Sequence, residues 1–369
     1  MLDREINGVG MKSVQALDRR ICVAPMMDWT DRHCRVLHRL FAPHALLYTE
    51  MIVSAAIVRG NALRLLEHDP REYPVALQLG GCDPQELAQA ARSGAAAGYD
   101  EINLNVGCPS DRVKSGAFGA CLMLDPPLVA DCVRRMRDAV QIPVTVKCRI
   151  GINHQDSYEF FAGFVDAVVS AGVDALIVHA RAAILGGLTE GGKPQPGPVP
   201  TPALGQAQPR LTLRGLSPKE NREIPPLKYH YVHRLKAEQP ALPLVINGGF
   251  SDPVVIASQI EAGLDGVMVG RAAYHRPRVL AELERATVDS TWRIPEPGEI
   301  IEHMVRYARN QAARGVRLHS ITRHMHGLMA GHEGARAWRR FLSEVAARPH
   351  AEPEVLFSGL ALLNRGLAA

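Results

Sequence analysis

Short apolar runs recur along the chain at intervals that leave room for a helix between neighbours. They are I-C-V-A-P-M (21–26), A-L-L-Y-T-E (45–50), V-A-L-Q-L (75–79), E-I-N-L-N-V (101–106), V-T-V-K-C-R (144–149), A-L-I-V-H-A (175–180), L-V-I-N-G-G (244–249) and G-V-M-V-G-R (266–271). Runs rich in Val, Ile and Leu, apolar on both faces, are the mark of strands in a buried parallel sheet. Amphipathic stretches such as P-Q-E-L-A-Q-A-A-R-S-G-A-A-A-G (84–98) and P-P-L-V-A-D-C-V-R-R-M-R-D-A-V (126–140) separate them. Eight such units over roughly 250 residues predict an α/β fold of the (β/α)8 TIM-barrel class, with a doubly wound sheet as the alternative.

Polar residues gather at one end of these runs: Met26 with Asp28, Glu50, Gln78, Asn105, Lys147 with Arg149, His179 with Arg181, Asn247, and Arg271. In a barrel these positions share the C-terminal rim, where active sites are assembled. The seventh run ends in Asn247-Gly248-Gly249 and the eighth in Gly270-Arg271. Together they offer backbone N–H groups and a cation where barrels commonly hold a phosphate. No Walker sequence is present, and no G-x-G-x-x-G follows a strand, so a mononucleotide such as FMN is favoured over a dinucleotide. Lys147 and His179 point into the mouth, beside the electron-rich edge of such a flavin.

After Pro295 the pattern becomes helical throughout. Arg336 and Arg339 lie three apart there, and Arg336 and Arg340 four apart, on one helix face, with Trp338 and Phe341 free to turn inward. Between Gly298 and Val345 eight Arg and four Glu, with no Lys or Asp, give +4, the net charge of the whole chain. Such a segment is either a solvated helix face or the footprint of a nucleic-acid binder. Seven scattered cysteines without a C-x-x-C pair point to reduced thiols in a cytosol and give no metal site. The first residues carry charges without an apolar core, and no run approaches the roughly 18 residues of a membrane span, so a cytoplasmic protein without membrane contact is expected. Cys108, in N-V-G-C-P-S just past the fourth run, is a small buried hydrophobe, a nucleophile or an acid on these grounds alone.

Taken together, A-P-M-M-D-W-T-D-R, L-Y-T-E-M, V-A-L-Q-L-G-G, N-L-N-V-G-C-P-S, V-T-V-K-C-R-I-G, V-H-A-R, S-P-K-E-N-R-E, I-N-G-G and V-M-V-G-R-A-A-Y resemble the tRNA-dihydrouridine synthases. D-E-I-N-L-N-V-G-C-P-S-D-R-V with G-L-S-P-K-E-N-R-E-I-P-P-L is similar to the A-type enzymes of D-loop positions 20 and 20a. The likeness runs from about Cys22 to Val345. It implies an FMN-binding barrel (21–294) after an N-terminal extension (1–20), then a helical tRNA-binding domain (295–345) and a C-terminal tail (346–369). It implies FMN contacts at Ala24, Pro25, Met26, Gln78, Lys147, His179, Asn247, Gly248, Gly249, Gly270 and Arg271. Cys108 is implied as proton donor, and Asn105, Lys219, Arg222, Arg336 and Arg339 as tRNA contacts.

The implied chemistry uses NADPH as reductant and delivers hydride to C6 of a uracil lifted from its stack. A thiol of ordinary pKa, about 8.5, is mostly protonated near neutrality and can then protonate C5. The implied partner is tRNA, with no stable protein partner and a monomeric state. Residues 188–214, dense in Pro, Gly and Gln, interrupt the family pattern after the sixth run and are expected to form a flexible flap on the active-site rim. Two rivals stand beside this reading: an FMN-dependent reductase of a free small molecule, and a non-catalytic tRNA-binding protein that has kept the barrel.

Overall fold

The computed structural model describes residues 17–60, 62–110, 118–186 and 215–366. Its strands are β1 (Ile21–Val23), β2 (Leu46–Tyr48), β3 (Ile52–Val53), β4 (Val75–Gly80), β5 (Glu101–Val106), β6 (Val144–Arg149), β7 (Ala175–His179), β8 (Leu244–Asn247) and β9 (Gly266–Val269). The order β2-β1-β9-β8-β7-β6-β5-β4 closes on itself because β2 also pairs with β4. All pairs are parallel, so eight strands form a closed barrel, while β3 adds only to the far end of β4 through Ile52 and Val53. The expected TIM barrel is borne out. The expected insertion at 188–214 lies outside the described residues.

Alternation along each strand divides the apolar residues into two cores. Outward residues such as Val23, Leu47, Leu77, Ile102, Leu104, Val146, Val178, Ile246 and Val267 pack against the surrounding helices. Inward residues Cys22, Ala24, Leu46, Tyr48, Ala76, Ile177, Val245 and Met268 form a smaller cluster in the barrel lumen. Several helices leave the rim through an N-cap whose side chain takes up first-turn N–H groups: Asp31, Asp83, Asp125, Ser157 and Asp252. Three of these, Asp83, Asp125 and Asp252, are followed by Pro at the start of the helix, which fixes the backbone for helical entry.

Helices Pro297–Ala312, Leu318–Thr322, Ala335–Phe341 and Val355–Gly366 gather at the C-terminus. Their interior, including Ile300, Met304, Tyr307, Trp338 and Leu356, belongs to the same apolar cluster as the outer face of the barrel. Trp338 is fully buried and its indole donates to the Met325 carbonyl at 2.9 Å. A side-chain carbon at Gly359 would sit 2.7 Å from the Phe341 ring, so only glycine lets those two helices meet. The bundle docks on the rim where β1 and β9 end. His324 meets Asp31 at 2.9 Å, Arg323 donates to the Asp28 carbonyl at 2.7 Å, and Tyr274 donates to the Arg323 carbonyl at 3.3 Å. No helix among the described residues is long and apolar enough to cross a membrane.

Candidate active site

The strand ends bring most of the predicted site residues to one mouth. Ala24 continues β1, its N–H bonded to the Val269 carbonyl at 2.9 Å, and Met26 is fixed by its N–H to the Thr30 hydroxyl at 2.8 Å. Across β9, a side-chain carbon at Gly270 would meet Ala24 and Met26 at an ordinary 3.6 Å. Gly270 therefore sits within ordinary packing distance of both residues at the rim. Gly248 and Gly249 have φ of 126° and 72°, angles that glycine adopts without strain. A side-chain carbon at Gly248 would also lie 2.9 Å from both His179 and Leu227. Among the described residues nothing accepts from the N–H of Gly248 or Gly249, which leaves two donors for an anion.

Charge at the mouth is strongly one-sided. Lys147, Arg149, His179, Arg181, Arg222 and Arg271 converge there, answered by Glu223, which pairs with Arg271 at 2.8 Å. Burial, then repulsion from Arg149, brings the Lys147 ammonium down to about 8. Burial and the neighbouring Arg222 and Arg181 bring Arg149 down to about 10. His179 is held well below its ordinary value by burial and then by Arg149, Lys147, Arg181 and Arg222, and is neutral. Crowded cations that depress one another in this way gain from a bound anion. Asn247 orients the ammonium: its amide donates to the Met268 carbonyl at 2.7 Å, and its oxygen accepts from Lys147 at 3.4 Å.

Cys108 stands two residues beyond β5 on a loop held from both sides. The Asn105 side-chain oxygen accepts from the N–H groups of Gly107, at 3.1 Å, and Cys108, at 2.9 Å. Buried Arg149 donates to the Gly107 carbonyl at 2.8 Å and to the carbonyls of Ala182 and Asn221, each at 3.1 Å. The thiol is half-buried, with Ser110 at 3.5 Å. Cys121 differs: it is buried, donates to the Phe118 carbonyl at 3.0 Å, and burial pushes its thiol up to about 11. It is packing.

The residues implied in tRNA contact fall into three places. Asn105 is almost wholly buried and occupied with Gln78 and the Cys108 loop. Lys219 and Arg222 are exposed at the mouth on a segment pinned by buried Asn221, whose amide bonds Ile184, Leu216 and Ser217. Arg336 and Arg339 are exposed on the helix that buries Trp338, with Arg339 close to His326. Sequence reasoning overlooked Glu101, Asn103, Thr145 and Asn221, all fully buried polar residues. The signal for the first two was present as E-x-N-x-N, a polar alternation in a strand that must be buried.

A closed parallel barrel with a cationic mouth and a half-buried loop thiol at its rim is the architecture of an enzyme. Comparison narrows that class. A family profile, Dihydrouridine synthase (Dus), matches residues 22–361, and the chain belongs to this family of oxidoreductases acting on CH–CH bonds. It is 49% identical over 337 residues to the tRNA-dihydrouridine(20/20a) synthase of Xanthomonas campestris pv. campestris, covering 91% of each chain. The enzyme of the same name from Synechocystis sp. is 49% identical over 340 residues, covering 92% of this chain and 93% of that one. That of Escherichia coli O6:H1 is 47% identical over 345 residues, covering 93% and 95%. Among solved structures, a mandelate oxidase mutant with a monooxide FMN adduct matches at a TM-score of 0.38 and 16% identity, over 73% of this chain and 67% of that one, too loosely to bear on the site.

Proposed function

We propose that the protein reduces the C5–C6 bond of uridine at D-loop positions 20 and 20a of tRNA, as the names of its relatives suggest. The residues present fit FMN. The N–H groups of Gly248 and Gly249, without an acceptor among the described residues, suit its phosphate together with Arg271, and Ala24, Met26 and Gly270 share the rim beside them. Lys147 would hold the polar edge of the flavin ring, with neutral His179 and Asn247 beside it, whereas Gln78, also expected there, is buried with both ends of its amide engaged by Asn103 and Asn105. Bound FMN, reduced by NADPH, supplies the hydride that C6 receives.

The chain's own residues do the rest. Cys108 gives its proton to C5, and the product leaves with one hydride and one proton added across the former double bond. The thiolate left behind is then re-protonated from solvent. Exposed Lys219 and Arg222 at the mouth, and Arg336 and Arg339 on the helical bundle, bind the tRNA backbone of a monomeric, cytoplasmic enzyme.

The observation that carries this reading is the half-buried Cys108 on a loop pinned by Asn105 and Arg149 beside the cationic mouth. Cys108→Ala should lower dihydrouridine formation in unmodified tRNA by at least about a hundredfold, the usual contribution of a positioned acid, while the purified protein stays yellow. Wild-type turnover in that variant would remove Cys108 from the role. A free-metabolite reductase would turn over without any dependence on tRNA, and a non-catalytic binder would not turn over at all.

A further inference from the structure

Down one wall of the barrel runs an unbroken chain of buried hydrogen bonds. Arg19, just before β1, pairs with Glu101 at 2.5 Å. The other Glu101 oxygen accepts from Tyr48 at 2.7 Å and from Thr145 at 2.6 Å. Thr145 accepts from the Asn103 amide at 2.9 Å, the Asn103 oxygen accepts from the Gln78 amide at 2.8 Å, and the Gln78 oxygen accepts from the Asn105 amide at 2.8 Å. The Asn105 oxygen then accepts from the N–H of Gly107 and of Cys108. Strand register builds the chain, since Gln78 lies opposite Asn103 on β5, and Asn103 opposite Thr145 on β6.

The chain has a direction, and both ends dictate it. A carboxylate only accepts, so Thr145 must turn its proton to Glu101 and its lone pair to Asn103. A backbone N–H only donates, so Asn105 must turn its oxygen to the Cys108 loop and its amide to Gln78. Every amide between these ends is then fixed in one of its two orientations. Turning over any one amide would set donor against donor within the chain, and turning over Asn105 would do so at Gly107 and Cys108.

Resting on the reading of Cys108 as the proton donor, we infer that Glu101 and Thr145 are positioning residues for the reaction. Glu101 at the start of β5, roughly 13 Å from Asn105 at the usual strand rise, and Thr145 opposite Asn103 on β6 set the orientation of the Gln78 and Asn105 amides and so hold the Cys108 loop. Neither touches the reacting atoms. Their influence passes through side-chain amides that would otherwise be free to turn over.

The test uses the full-length holoenzyme with Glu101→Gln, Thr145→Val and Thr145→Ser. Glu101→Gln presents an amide that donates to Thr145, against the direction that the Gly107 and Cys108 N–H groups still dictate. Thr145→Val removes the link but keeps the shape and the Arg19 pair, and Thr145→Ser keeps the hydroxyl. Hydrogen exchange at the Gly107 and Cys108 amides, and single-turnover reduction of tRNA, are read in each. We expect the first two variants to speed exchange and slow reduction by about tenfold, the weight of one such hydrogen bond, with KM for tRNA unchanged and Thr145→Ser like wild type. Should one of the first two fail to fold, the other carries the test. Unchanged exchange in a folded variant overturns the inference, as does faster exchange with unchanged turnover. Failure of the thiol reading is seen separately, as wild-type activity of Cys108→Ala while exchange in the other variants still reports on the loop.

Discussion

On the side of β1, β2 and β7 to β9 the barrel lumen is filled by Cys22, Leu46, Ile177, Val245 and Met268. On the side of β4 to β6 it is filled by Gln78, Asn103, Thr145 and Glu101, all buried and linked in that order by hydrogen bonds. Both fillings close the barrel, but they hold it differently. Apolar packing is tolerant of small changes in shape and indifferent to direction, whereas a polar chain works only when every member is satisfied. The polar wall lies under the loop that carries Cys108. Where the rim needs a backbone fixed in place, the lumen below it is polar.

Asn103→Leu should break the contrast most severely. It leaves the Gln78 amide without its acceptor and the Thr145 oxygen without the donor from Asn103, a loss of roughly 2–6 kcal/mol at about 1–3 per orphaned group, measurable as a lower denaturant midpoint. A variant as stable as wild type would mean that the two walls are energetically alike. Lys147→Met acts at the mouth end of the polar wall and in the opposite sense. Its ammonium, ordinarily at 10.5, falls to about 8 through burial and then Arg149. Below the lower value Lys147 is charged in both the folded and the unfolded chain, and its burial works against folding. Between the two values the unfolded chain holds the extra proton, so stability rises with pH through that window. The cofactor-free Met variant should therefore melt about 2–4 °C higher at pH 7, with the gain shrinking toward pH 10, and lose flavin affinity. A lower melting point at pH 7 would contradict the assignment of strain to Lys147. Ile177→Val on the apolar wall sharpens the comparison from the other side: a loss of only about 0.5–1.5 kcal/mol, with tRNA reduction and flavin content as in wild type. A large loss of turnover there would show that both walls serve the site.

Much of this was legible in the sequence, for a physical reason. Strands buried on both faces must be apolar runs, and rim residues must be polar, so the barrel and its mouth follow from pattern alone. Lys147, His179, Asn247 and Arg271 were found in this way, and the structure brings them to one opening. What was not legible depends on partners far apart in the chain. Glu101 and Asn103 gain their meaning from Thr145 and Gln78, which only strand register places beside them. Asn105 appears at the end of its run as one more rim residue, yet its oxygen is turned into the Cys108 loop. The two-residue β3 was missed because a pair of residues carries no periodicity.

The apolar cluster that runs without a break from the outer barrel into the C-terminal helices has a consequence for how the chain unfolds. Tyr307, on the first helix of the bundle, reaches back to His33 at 2.6 Å, on the helix that follows β1. A chain cut before Pro297 would turn that helix's inner seam into bare apolar surface exposed to water. Barrel and bundle should accordingly lose structure in a single cooperative transition, and the bundle is better regarded as the missing flank of the barrel than as an appendage to it.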